Sequence, residues 1–81
     1  MTAPTILVVE DEPAILELIR VNLEDAGYTV DGAPDAETAQ LRLNEALPDL
    51  VLLDWMLPGQ SGIALAKQLR AEPRTRELPI I

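Results

Sequence analysis

Two short apolar runs constrain this 81-residue chain more than any other feature. Thr5 to Val9 reads TILVV, and Leu50 to Leu53 reads LVLL. Both are continuous rather than alternating, the pattern of strands covered on both faces inside a parallel sheet. Each run ends directly in acid: Glu10-Asp11-Glu12 follows the first, and Asp54 follows the second. Neither approaches the ~20 apolar residues that a bilayer span requires. Met1-Thr2-Ala3-Pro4 lacks the basic start of a secretory signal, so a cytoplasmic location is the expectation.

Between the runs the periodicity is helical. Pro13 to Ala26 spaces Ile15, Leu18, Ile19, Leu23 and Ala26 as one apolar face, with Pro13 suited to the first turn and Gly27 to the stop. Tyr28-Thr29-Val30 reads as a short strand. A second helix is expected after Pro34, with Asp35 as its cap, Ala36, Ala39, Leu43 and Leu47 inward, and Pro48 beyond its end. Pro58-Gly59-Gln60-Ser61-Gly62 is a turn signal, and Ser61 suits the start of a third helix. That helix turns Ile63, Ala66, Leu69 or their neighbours inward and fades near Pro73. Leu78-Pro79-Ile80-Ile81 reads as the start of a fourth strand.

The order β-α-β-α-β-α-β predicts a single α/β domain with right-handed crossovers. Element order alone does not say which strands are neighbours. In a flavodoxin-like sheet the first and third strands are adjacent, and ligands bind in the crevice at their carboxyl ends. That is where the acids fall. Parallel neighbours lie about 4.8 Å apart, so Glu10 or Asp11 would meet Asp54.

Composition narrows the chemistry of such a site. The chain has no His and no Cys, which excludes thiolate or imidazole metal sites and Ser-His or Cys-His nucleophiles. Its formal charge of −8 disfavours non-specific contact with nucleic acid or anionic membranes. The charge is also uneven: residues 1–54 carry a net −10 and residues 55–81 a net +2. Three carboxylates in one crevice raise one another's proton affinity unless a cation neutralises them. The fitting cation is a hard one, Mg²⁺ before Ca²⁺ given so few ligands. An aspartate beside Mg²⁺ can attack a phosphoryl group and hold it as an aspartyl phosphate. The competing reading is helix capping, since Asp11 and Glu12 also suit the positive end of the helix that begins at Pro13.

ILVVEDE, the amphipathic helix after it, and PDLVLLDWMLPGQSG together resemble the receiver domain of two-component response regulators, along the whole stretch from Thr5 to Ile81. The segments Asp54 to Gly59 and Arg74 to Pro79 are most similar to the phosphate-regulon branch of the family, whose members carry a winged-helix DNA-binding domain after the receiver. The resemblance implies a flavodoxin-like, doubly wound parallel sheet of order 2-1-3-4(-5). It implies that Asp54 is the phosphoacceptor and that Glu10, Asp11, Asp54 and the backbone carbonyl of Met56 hold Mg²⁺. It further implies a phosphohistidine on a sensor histidine kinase as donor, in a signalling protein that is a phosphoacceptor rather than a turnover enzyme.

The family also uses a Ser or Thr at the end of the fourth strand and a Lys at the end of the fifth. No residue up to Ile81 takes either role, so residues 1–81 are expected to be the first two-thirds of a receiver, with the DNA-binding domain absent and phosphoryl retention or switching poor. Trp55 has two readings, a core aromatic or a reporter beside the metal site. Two other functions stay open. A non-phosphorylatable binding or assembly module would self-associate through an exposed fourth strand. A Mg²⁺-dependent phosphohydrolase would place a second acid two residues after its nucleophile, where this chain has Met56.

Overall fold

A computed structural model describes residues 3–54, 56–57, 59 and 61–81. Three strands and three helices alternate: β1 (Thr5–Val9), α1 (Pro13–Asp25), β2 (Thr29–Ala33), α2 (Ala36–Glu45), β3 (Leu50–Leu53) and α3 (Gly62–Ala71). The sheet is parallel with order β2-β1-β3. Residues 79–81 add a short parallel fourth edge, bridging Val51 to Ile80 and sending the Leu53 and Val51 amides to the Ile81 and Pro79 carbonyls. Strand order 2-1-3-4 therefore matches the sequence expectation as far as the chain runs.

The continuous apolar runs fill both faces of the sheet, because alternate side chains point opposite ways. Leu7, Val9, Val51 and Leu53 pack with Ala33 under α2 and α3, against Ala36, Ala39, Leu43, Leu65 and Leu69. Ile6, Val8 and Val30 pack under α1 against Leu16, Ile19 and Leu23, with Leu50 and Leu52 only partly covered. One face thus carries two helices and the other carries one.

The helix boundaries follow their capping residues. Asp35 accepts a hydrogen bond from the Thr38 amide at 2.7 Å, and Ser61 Oγ accepts one from the Ala64 amide at 3.1 Å. Asp35 holds its proton less readily than an ordinary carboxyl because Thr38 donates to it. At the end of α1, Gly27 adopts φ 101°, which lets the Gly27 amide reach Glu24 O and the Tyr28 amide reach Leu23 O.

Several expected faces are corrected. Ile15 and Leu18 are exposed, and Leu16 takes the inward position with Ile19 and Leu23. Ile63 is exposed while Leu65 and Leu69 are fully buried, and Leu47 lies beyond the end of α2, exposed. Ala26 caps α1 rather than packing inward. The second strand is longer than expected and shifted: it runs from Thr29 through Asp31 and Gly32, paired residue by residue with β1.

Candidate metal and phosphoacceptor site

The pairing register of β1 with β3 places Val9 beside Leu53, so Glu10 and Asp54 emerge side by side at the carboxyl end of the sheet. Backbone hydrogen bonds extend the ladder one residue beyond the strands. The Glu10 amide donates to Ala33 O at 2.9 Å, and the Asp54 amide donates to Val9 O at 3.0 Å. Both acids are therefore anchored by their own main chains. Asp11 follows on the turn into α1.

These three residues come together. One carboxylate oxygen from each of Glu10, Asp11 and Asp54 lies within 4.8 Å of the others. Their settings differ: Glu10 is buried, Asp54 is half-buried and Asp11 is exposed. The Met56 amide donates to Asp54 Oδ1 at 3.1 Å, which fixes the start of the loop after β3. Met56 itself is 85% exposed. Gly59 takes φ 72° in the same loop, a conformation that favours glycine.

The electrostatics show what the cluster lacks. Glu10 Oε2 is buried and meets no hydrogen-bond donor. Burial first, then the Asp54 carboxylate, push the Glu10 carboxyl up from 4.5 to about 6, while the Glu12 amide pulls it partly back. An orphaned buried oxygen facing two more carboxylates calls for a proton or a cation. With oxygen donors only, the residues fit a hard divalent ion. The Met56 carbonyl belongs to the loop segment that follows Asp54.

The capping alternative is not realised. Glu12 is the N-cap of α1 by position, but its side chain makes no capping hydrogen bond, and no acid occupies the first turn. Trp55, Pro58 and Gln60 lie outside the described residues, so the expected placement of Trp55 is not part of this geometry. Sequence reasoning missed the supporting groups. Ala33 O and the Glu12 amide hold Glu10, and both are backbone atoms with no side-chain signature.

The response regulator receiver domain model matches residues 6–81. This chain belongs to the response regulator receiver family. It is 55% identical over 78 residues to the phosphate regulon transcriptional regulatory protein PhoB of Rhizobium meliloti, covering 96% of this chain and 34% of that protein. It is 49% identical over 79 residues to the PhoB protein of Escherichia coli, covering 98% of this chain and 34% of that protein. The chain thus spans about a third of the length of these curated relatives. Among solved structures, a putative response regulator from Chloroflexus aurantiacus superimposes with TM-score 0.95 at 37% identity, covering 98% of this chain and 65% of that one. The N-terminal domain of a response regulator receiver protein from Methanoculleus marisnigri gives TM-score 0.92 at 38% identity, covering 95% and 63%. The fold is therefore the flavodoxin-like receiver fold, and the sequence is that of a PhoB-like receiver.

Proposed function

We propose that this receiver accepts a phosphoryl group on Asp54 from a phosphohistidine of a sensor histidine kinase, with Mg²⁺ held by Glu10, Asp11, Asp54 and the Met56 carbonyl. The observation that carries the reading is the meeting of three carboxylates at the strand ends, one with an orphaned buried oxygen. In the transfer, an Asp54 carboxylate oxygen forms a bond to phosphorus as the P–N bond to the histidine breaks. The imidazole nitrogen leaves with the electron pair and takes up a proton.

The bound ion supplies charge neutralisation for the phosphoryl oxygens. The chain's own contribution is position. The Met56 amide donates to Asp54 Oδ1 and so orients the carboxylate at the strand end. The Asp54 main chain is tied to β1, so the nucleophile does not drift from Glu10. Asp11 and Met56 are exposed beside Asp54, which suits a donor carried on another protein. This is a single-use acceptor rather than a turnover enzyme.

The likeness to PhoB proteins supports a place in a cytoplasmic phosphate-regulon type of transcription control, with DNA contacted through a separate domain. No helix among the described residues is long and apolar enough to cross a membrane. Acetyl phosphate with Mg²⁺ tests the acceptor role by intact mass. The wild-type chain is expected to show a short-lived phosphoryl adduct and Asp54→Asn none; equal labelling of both overturns the assignment.

A further inference from the structure

Between Asp54 and the start of α3, Leu57 is the only buried residue among those described. It is 8% exposed, whereas Met56, Gly59 and Ser61 are all exposed. Its side chain joins the buried cluster of Ala33, Ala36, Ala39 and Leu65 on the face covered by α2 and α3. Loops ordinarily run over the surface, and a leucine sunk into the core from one fixes where its neighbours stand.

The neighbour that matters is Met56. Its own side chain is exposed and gives it no anchor in the core. Its amide donates to Asp54 Oδ1 at 3.1 Å, and its carbonyl shares a planar peptide unit with the Leu57 nitrogen. The two Cα atoms that bound such a unit are about 3.8 Å apart. With the Leu57 end sunk in the core and the Met56 end tied to Asp54, the carbonyl between them keeps only rotation about the line joining those atoms. We propose that Leu57 is the positioning residue of this site: its burial sets the Met56 peptide, so that the amide orients Asp54 and the carbonyl is offered to the ion. The carbonyl's part rests on the metal reading above, while the Leu57 side chain has no atom to offer the ion.

Two other contacts along this loop do not hold Met56. Ser61 receives the Ala64 amide at 3.1 Å, but it stands five residues beyond Met56, at the far end of the loop. Glu37 flanks Gly59 from α2, its Oε1 3.5 Å from where a Cβ would stand, which is ordinary contact rather than a tie.

Calorimetric titration of the 81-residue chain with Mg²⁺ tests this. Leu57→Ala is expected to weaken Mg²⁺ binding at least tenfold, the effect of losing a group that supports metal ligands. In EDTA, its Met56 amide proton is expected to lose the downfield NMR shift that the bond to Asp54 gives it. Leu57→Met keeps a long apolar side chain in the core and should match wild type in both respects. Leu43→Val trims a leucine of the same cluster, 0% exposed and seven residues beyond Ala36 on α2, and should lower stability without changing either readout. Should Leu57→Ala fail to fold, Leu57→Val carries the test with a loss of about fourfold, set by one buried methylene. Wild-type Mg²⁺ affinity in the folded Leu57 variant would overturn the proposal. So would an equal loss in Leu43→Val and Leu57→Val, which would make the effect one of general stability. Asp11→Ala, measured alongside, separates the two levels. If it binds Mg²⁺ like wild type, the metal reading falls and this proposal with it. If Asp11→Ala loses the ion and the Leu57 variant keeps it, only the role of Leu57 falls.

Discussion

Replacing Glu10 by glutamine isolates the electrostatic strain of the acidic crevice. Glutamine keeps the shape of the side chain, removes its charge and offers an N–H to the neighbouring carboxylates. In the metal-free protein the Glu10 carboxyl is raised from 4.5 to about 6, which corresponds to a cost of about 2 kcal/mol for ionising it in the folded state. The sign follows from proton binding. Between those two values the folded chain holds more protons than the unfolded one, so this group's contribution to stability falls as pH rises from 4.5 through 6. Below that window the carboxyl is protonated in both states and the substitution is nearly silent. Above it, Glu10→Gln is expected to be more stable than wild type by about 2 kcal/mol. Urea unfolding in EDTA at pH 4.5 and pH 7.5, followed by circular dichroism, reads this directly. Saturating Mg²⁺ should reverse the ranking at pH 7.5, because the ion stabilises the ionised crevice and the variant has lost a ligand. A variant equal to or less stable than wild type in EDTA at pH 7.5 would refute the argument that Glu10 is buried against like charge.

Four further outcomes follow from the same geometry. Mg²⁺ affinity, read by calorimetry, should fall about tenfold per pH unit below pH 6 and level off above it, because binding must displace the Glu10 proton. Asp11→Ala and Asp54→Asn should each weaken Mg²⁺ binding strongly, seen as loss of the metal-dependent change in emission of the single tryptophan. Ser61→Ala removes the hydroxyl that receives the Ala64 amide and should destabilise the chain by about 1 kcal/mol in urea, without altering the acidic crevice. Thr75→Val removes a buried hydroxyl that donates to Leu69 O at 2.6 Å, leaving that carbonyl unpaired, and should lower stability by about 1–3 kcal/mol.

Much of this architecture was legible because the residues that mark it act locally. Asp35, Ser61 and Gly27 shape the ends of their helices through bonds to amides and carbonyls a few residues away. The apolar runs identified two strands because a strand covered on both faces needs no alternation. The face of α1 was not legible. Ile15, Leu16, Leu18, Ile19, Val21 and Leu23 are all apolar, so two registers of the helix satisfy the periodicity equally, and packing against Val8 and Val30 selects one. The length of β2 was hidden for a different reason. Asp31 and Gly32 are poor strand formers, and it is pairing with Leu7 and Val8 that holds them extended. A Cβ at Gly32 would stand 3.0 Å from Arg20 Nη2 and 3.1 Å from Leu16 Cδ2, so those side-chain ends would have to shift by a few tenths of an ångström.

The acids of the site were readable as candidates, but their distinct characters were not. Nothing in Glu10-Asp11-Glu12 says that the first is buried, the second exposed and the third at the N-cap without a capping hydrogen bond from its side chain. That division arises because Glu10 continues the β1 ladder to Ala33 while the chain turns at Asp11. The same ladder brings in Asp54 from a strand more than forty residues away.

The central claim is that this crevice makes Asp54 a Mg²⁺-dependent phosphoacceptor. Borohydride reduction after treatment with acetyl phosphate tests it most directly, because it converts an aspartyl phosphate to homoserine and so records even a short-lived product. Peptide mapping should find homoserine at position 54 in the presence of Mg²⁺ and none in EDTA. Homoserine at another acid, or equal conversion at position 54 with and without the metal, would contradict the account.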